Sequence, residues 1–255
     1  RSRGSSLHHQ VMNRATPFSY DCNACGKCCR DKVITLAPYD LLKIARAAGV
    51  STREAIARFT LRRGSILKFG ADGACAMLDG VRCRIHDGRP LACRLYPLGL
   101  ERAPHGLGER FVRLEPALGS LGVYGDDRTI GDFLEAQEVA EYLDANDRYR
   151  RLIPRIRGRI AELVDFEKIE PREFWRRATR EALAELNYDP NPLIDAIFDL
   201  DGLVGRRDDE EAEMFVHLAA LAVRVAKIDD AAMLAAAAVM LAISLGYTPA
   251  EASGS

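Results

Sequence analysis

The chain has 255 residues, 48% of them hydrophobic, which is enough apolar material for one large core or two smaller ones. Its formal net charge at pH 7 is −1, so no overall field draws it to nucleic acid or to an anionic membrane surface. Its 7 cysteines are an odd number, which excludes a fully paired disulfide framework.

Arg1 to Gln10 reads as a polar tail. No basic stretch followed by an apolar one marks a secretory signal, so a cytoplasmic setting with reduced thiols is expected. The chain then runs Cys22-Asn23-Ala24-Cys25-Gly26-Lys27-Cys28-Cys29. Thiols at two-residue gaps on a tight turn can converge on one metal ion or cluster. Adjacent Cys28 and Cys29 diverge, so one is expected to join Cys22 and Cys25 while the other turns to a second position. Lys32 to Leu36 is expected as a short strand. Pro38 opens a helix through Ala48, with Gly49 as its left-handed stop. Ser51 and Glu54 make a capping box for a helix through about Thr60. Gly70 to Pro97 reads as loop and carries Cys75, Cys83 and Cys93. Phe111 to Leu114 is expected as a strand.

Glycine becomes rare after Asp126 and helix formers take over. Thr129 caps an expected helix from Ile130 to about Arg151. Further helices are expected from Pro154 to Val164, from Pro171 to before Asn187, from Pro192, from Asp208 to Ile228 and from Ala231 to Leu245. Leu218, Leu221, Ala222 and Val225 repeat at helical spacing and mark a core face. The uncharged run Ala231 to Tyr247 is slightly short for a bilayer span and reads as a buried helix, so no membrane association is expected.

Seven thiols plus His86, three residues after Cys83, give eight donors, which is two tetrahedral sets of four. A single four-iron cluster would take four thiols and leave three. Scattered buried cysteines acting as small hydrophobes fit poorly with four of them in eight residues.

The run Cys22-x-x-Cys25-Gly26-x-Cys28-Cys29-Arg30 is similar to the opening of the CxxCxxCC, or YkgJ-like, family of zinc- or iron-chelating proteins. Later segments match it in order: Gly73 to Leu78 around Cys75, Arg82 to His86 around Cys83, and Arg89 to Pro97 around Cys93. The resemblance covers about residues 18 to 100. It implies metal chelation by Cys22, Cys25, Cys28, Cys29, Cys75, Cys83 and Cys93, with zinc or iron, including a [4Fe-4S] cluster, as the cofactor. Flagellin lysine methylases look like distant relatives. His86 stands where the family often has tyrosine, so it is read as an optional ligand.

Arg30, Arg89 and Arg94 flank thiols, where they would either compensate thiolate charge or stand as ordinary exposed charges. Tyr96 reads as a core tyrosine. His217 beside the apolar stripe reads as a core histidine, and His8, His9 and His105 as tail or loop residues. The arginines from Arg148 to Arg159 read as a solvated helix face, so no nucleic acid is expected. Asp126 and Asp127 read as turn residues.

The expected fold is mainly α. An irregular cysteine-rich metal-binding module with short strands, residues 16–125, packs on an α-helical region, residues 126–250. Three functions are open: a metalloprotein with a redox, sensing or structural role; an enzyme with a cluster-supported site, such as a methylase-like protein-modifying activity; and a helical scaffold with structural zinc that docks a protein partner through its helical half.

Overall fold

The computed structural model describes residues 12–102, 109–184, 192–201 and 209–247. The tail to Gln10 with His8 and His9, and His105, lie outside the described residues, as do Asn187 and Asp208.

Strand β1 (Pro17–Asp21) leads into the cysteine turn and pairs antiparallel with β8 (Val123–Thr129). Helices α1 (Pro38–Ala47) and α2 (Thr52–Phe59) follow. Pro38 sits in the first turn of α1, and Gly49 follows its end at φ 66, as expected. The Ser51 hydroxyl accepts from the Glu54 N–H at 3.1 Å, the capping contact legible in the sequence. Two-residue pairs come next: β2 (Thr60–Leu61) with β3 (Ile66–Leu67), and β4 (Leu78–Asp79) with β5 (Arg82–Cys83). The five-residue helix α3 (Leu91–Leu95) precedes the ribbon of β6 (Leu98–Arg102) and β7 (Glu109–Arg113). Four separate two-stranded ribbons, rather than one sheet, hold this irregular part together.

The rest is helical: α4 (Ile130–Ala136), α5 (Ala140–Arg150), α6 (Leu152–Leu163), α7 (Pro171–Ala184), α8 (Pro192–Phe198), α9 (Glu210–Lys227) and α10 (Ala231–Ser244). No described helix is long and apolar enough to cross a membrane. Alanine-rich α10 is buried along nearly its whole length, and its neighbours are α6, α7 and α8. Small side chains let these helices approach closely around it.

Four local expectations need correction. Lys32 to Leu36 is no strand, since only Thr35 makes a single bridge, to Ile66. The stretch Gly70 to Pro97 contains β4, β5 and α3 rather than loop alone. Asp126 and Asp127 lie within β8 rather than in a turn. The helix expected from Ile130 to Arg151 is broken in two at Gln137–Glu138, where Glu138 takes φ 53. The physical reason is distant in sequence. The buried Arg94 guanidinium takes the Gln137 carbonyl at 2.7 Å and the Glu138 carboxylate at 3.2 Å, and so holds the chain out of helical geometry.

One hydrophobic cluster runs from Leu36, Leu41 and Ile44 of the irregular part to Tyr149, Ile156, Leu221 and Leu241 of the helices. A second gathers Phe18, Leu98 and Phe111 with Ile130, Phe133 and Leu143. Both clusters therefore draw on residues from either side of residue 125. His217 is fully buried in α9, as expected for a core histidine. Its Nε2 lies 2.8 Å from the Ala196 carbonyl and its Nδ1 2.7 Å from the Tyr149 hydroxyl. A carbonyl can only accept, so Nε2 carries the proton and Nδ1 accepts from tyrosine. Three arginines of α5 and α6 are engaged within the chain: Arg148 with Asp144 and Glu211, Arg150 with Asp147, and Arg159 with Glu162 and Asp229.

Two outcomes follow from this packing. A chain ending at residue 125 loses the partners of both clusters and should be insoluble when expressed; a soluble, cooperatively melting 1–125 fragment would contradict it. Burial pulls His217 from its ordinary 6.5 down to about 4, so the unfolded chain takes up its proton first as the pH falls. The neutral histidine costs nothing above pH 6.5. Stability should then fall between 6.5 and about 4, at about 1.4 kcal/mol for each unit of separation. His217→Gln should flatten that part of the urea-unfolding profile relative to the parent chain.

Candidate metal centre

The cysteine turn owes its shape to backbone geometry. Ala24 and Gly26 both take positive φ, 48° and 68°. A Cβ on Gly26 would also meet the Val81 backbone at 3.2 Å, so the turn rests directly on the β4–β5 hairpin. A short 3-10 helix then carries Cys28 and Cys29. The Cys75 N–H donates to the Cys29 carbonyl at 2.9 Å, and the Asp31 N–H to the Gly73 carbonyl at 2.9 Å. These bonds bring the second thiol segment against the first. Cys83 ends β5, and Cys93 lies inside α3.

Two buried charged groups fix α3. Asp40, in the first turn of α1, accepts the Ala37 N–H at 2.7 Å with one oxygen. With the other it accepts the Leu91 N–H at 2.8 Å. Burial pushes its carboxyl up to about 6 in spite of both bonds. Arg94 is 2% exposed. It donates to the carbonyls of Arg89, Asp87 and Gln137 and lies 4.8 Å from the centre of the Tyr142 ring. Arg94 is thus turned into the protein rather than toward the thiols. Arg89 donates to the His86 carbonyl at 2.7 Å and to the Gln137 side chain at 2.5 Å, yet it also acts on Cys83, whose ionisation it favours. Arg30 is 4.0 Å from Asp72.

All seven cysteines and His86 line one cavity of about 1250 Å³. The thiols are free; Cys22 is exposed and the other six are half-buried. As they stand, no three His, Cys, Asp or Glu side chains among the described residues are gathered tightly enough to hold a metal ion. The Cys28 and Cys29 sulfurs are 3.8 Å apart, so these adjacent side chains do not diverge as expected. Cys28 is brought down to about 7, first by the hydrogen bond it shares with Cys29 and then with help from Lys32. Cys29 is raised by the same bond and by burial. Cys75, Cys83 and Cys93 are raised chiefly by burial, and Cys93 further by the neighbouring Cys75 and Cys83. Cys25 is lowered by the backbone N–H groups of Leu121 and Lys27. Five thiols from four segments therefore feel one another's charge.

The donor chemistry fits a soft or borderline metal. Thiols and an imidazole suit zinc and iron–sulfur chemistry, whereas hard cations require oxygen donors. The cavity's buried carboxylate, Asp40, is already committed to two N–H groups. His86 is exposed, and its Nδ1 faces the Arg89 guanidinium at 3.1 Å, which can only donate. Only Nε2 is left to reach a metal. Tyr96, expected as a plain core residue, lines the cavity and packs edge-on to Tyr20 at 6.0 Å between ring centres. Asp40 was not legible as a site residue, because an acid in a first helical turn is the commonest of capping patterns.

Residues 21–110, which include every cysteine, match the family model CxxCxxCC, described as "Putative zinc- or iron-chelating domain". No curated protein and no solved structure matches the chain.

Replacing Arg94 with Met should destabilise the chain by about 3 kcal/mol or more, since it strands several buried carbonyls at once. Urea unfolding checks this; a change under about 1 kcal/mol would show that water takes over those carbonyls.

Proposed function

We propose that this chain is a metal-binding protein whose thiols hold zinc or iron. The observation that carries the reading is the convergence on one cavity of donors spread from Cys22 to Cys93. A fold that needed these cysteines only as small apolar residues would have no reason to aim them all into the same space. Cys28, Cys29, Cys75, Cys83 and Cys93 are the inner donors, Cys22 and Cys25 the outer ones, and His86 an optional donor through Nε2. Bound zinc would tie the loops together as a structural centre, and a bound iron–sulfur cluster, [4Fe-4S] among them, would supply electron transfer or redox sensing. The chain's own part is mechanical. The Gly26 turn, the Cys29–Cys75 backbone bond and the Asp40–Leu91 clamp present thiols from three segments to one space.

The cytoplasm, where thiols stay reduced, is the compartment this reading requires. The size of the cavity favours one of the alternatives, an enzyme in which the metal supports a bound substrate, over a scaffold with sealed structural zinc. In this proposal residues 16–125 supply the donors, and residues 126–250 supply the packing that keeps them in place.

Anaerobic purification followed by metal analysis and a visible spectrum tests the reading directly. Bound zinc or iron is expected, with Cys83→Ser and Cys93→Ser each losing most of it and His86→Tyr keeping most of it. Chain purified without zinc or iron, and unable to take up either when reduced, would refute the proposal.

A further inference from the structure

The cavity extends beyond the thiols. Its volume, about 1250 Å³, is at or above the roughly 300–1,000 Å³ of ordinary small-molecule sites. Asn146 of α5, Ser244 at the end of α10 and the following Leu245 and Gly246 line it as well. Asn146 is only 5% exposed, and its carboxamide has no hydrogen-bond partner among the described residues. Its polar neighbours on the same cavity are engaged: the Ser244 hydroxyl donates to the Met240 carbonyl at 2.9 Å, and Asp40 accepts two N–H groups. No fully buried side-chain nitrogen or oxygen among the described residues lacks a partner, so the polar atoms of this carboxamide reach the cavity space itself. Leu67, Phe69 and Met77 line the same cavity.

The surroundings restrict what can meet it. The lining carries charge of both signs, Asp40 together with Lys32, Arg82, Arg89 and Arg128, so charge by itself selects neither an anion nor a cation. A cation answers only the oxygen of the Asn146 carboxamide, and an anion only its N–H groups. A neutral group with a donor and an acceptor side by side completes the carboxamide in both directions.

We propose that the cavity binds a small neutral molecule whose carboxamide-like head group pairs with Asn146 and whose apolar body lies against Leu67, Phe69 and Met77. The thiols then stand at the other part of the same space. The inference does not depend on the metal, because Asn146 belongs to a helix that carries no cysteine.

The test uses the full chain, as purified and again after chelation, with benzamide as probe. Acetophenone, which has the acceptor alone, and benzoate, which is charged, are its isosteres. Saturation-transfer NMR should show benzamide binding roughly tenfold or more tighter than either. Asn146→Leu should abolish that preference without changing the circular dichroism spectrum. The near-isosteric Asn146→Asp should shift the preference from benzamide to the benzamidine cation. Failure of benzamide to bind, or equal binding to the parent chain and Asn146→Leu, would show that Asn146 meets water alone. If the leucine variant does not fold, an unchanged preference for benzamide in Asn146→Asp would overturn the proposal.

Discussion

Two buried ions, Asp40 and Arg94, hold the wall on which the rest of the thiol cavity depends. Helix α3 has five residues and cannot persist by itself, because so short a helix never recovers the cost of its first turn. Asp40 grips its first N–H from below, and Arg94 ties its last turn to the break between α4 and α5. Each ion was removed from water at a cost of several kcal/mol, recovered through hydrogen bonds to backbone groups that would otherwise be orphaned. The result is a fixed place for Cys93, although its segment has little regular structure.

Burial and mutual charge work against ionisation of the inner thiols. Cys75, Cys83 and Cys93 resist losing their protons, and every thiolate formed makes the next harder to form. Cys28 is the exception, lowered by its hydrogen bond with Cys29 and by nearby Lys32. A metal held by these thiols would couple its uptake to their ionisation.

Features encoded over a few residues were legible in the sequence. The Cys22–Cys29 spacing, the Ser51 cap, the Pro38 and Pro171 helix starts and the buried face of α9 each depend on neighbours within about one turn. Features that depend on distant partners were not. The break at Glu138 is imposed by Arg94, more than forty residues earlier. Arg94 itself looked like a partner for thiolates because it sits next to Cys93, and only the fold shows it turned toward carbonyls. Asn146 gave no signal at all, since a lone asparagine in an amphipathic helix is ordinary until its burial is known. The proximity of Cys28 and Cys29 sulfurs follows from the 3-10 geometry of their turn, where adjacent side chains do not splay as they do in a strand.

The aromatic residues divide in a way that matters for observing the molecule. The chain has one tryptophan, Trp175, which packs against Phe174 in α7 beneath the Arg157 guanidinium and does not line the cavity. Tyr20 and Tyr96 stand at the cavity wall, and Tyr124 packs on Tyr20 at 5.0 Å. Tryptophan emission therefore reports on the helical packing, whereas tyrosine absorption mixes the cavity wall with Tyr39, Tyr142 and Tyr149 of the main core. Loss of the helical packing can be followed by that single intrinsic emission, without attaching a label.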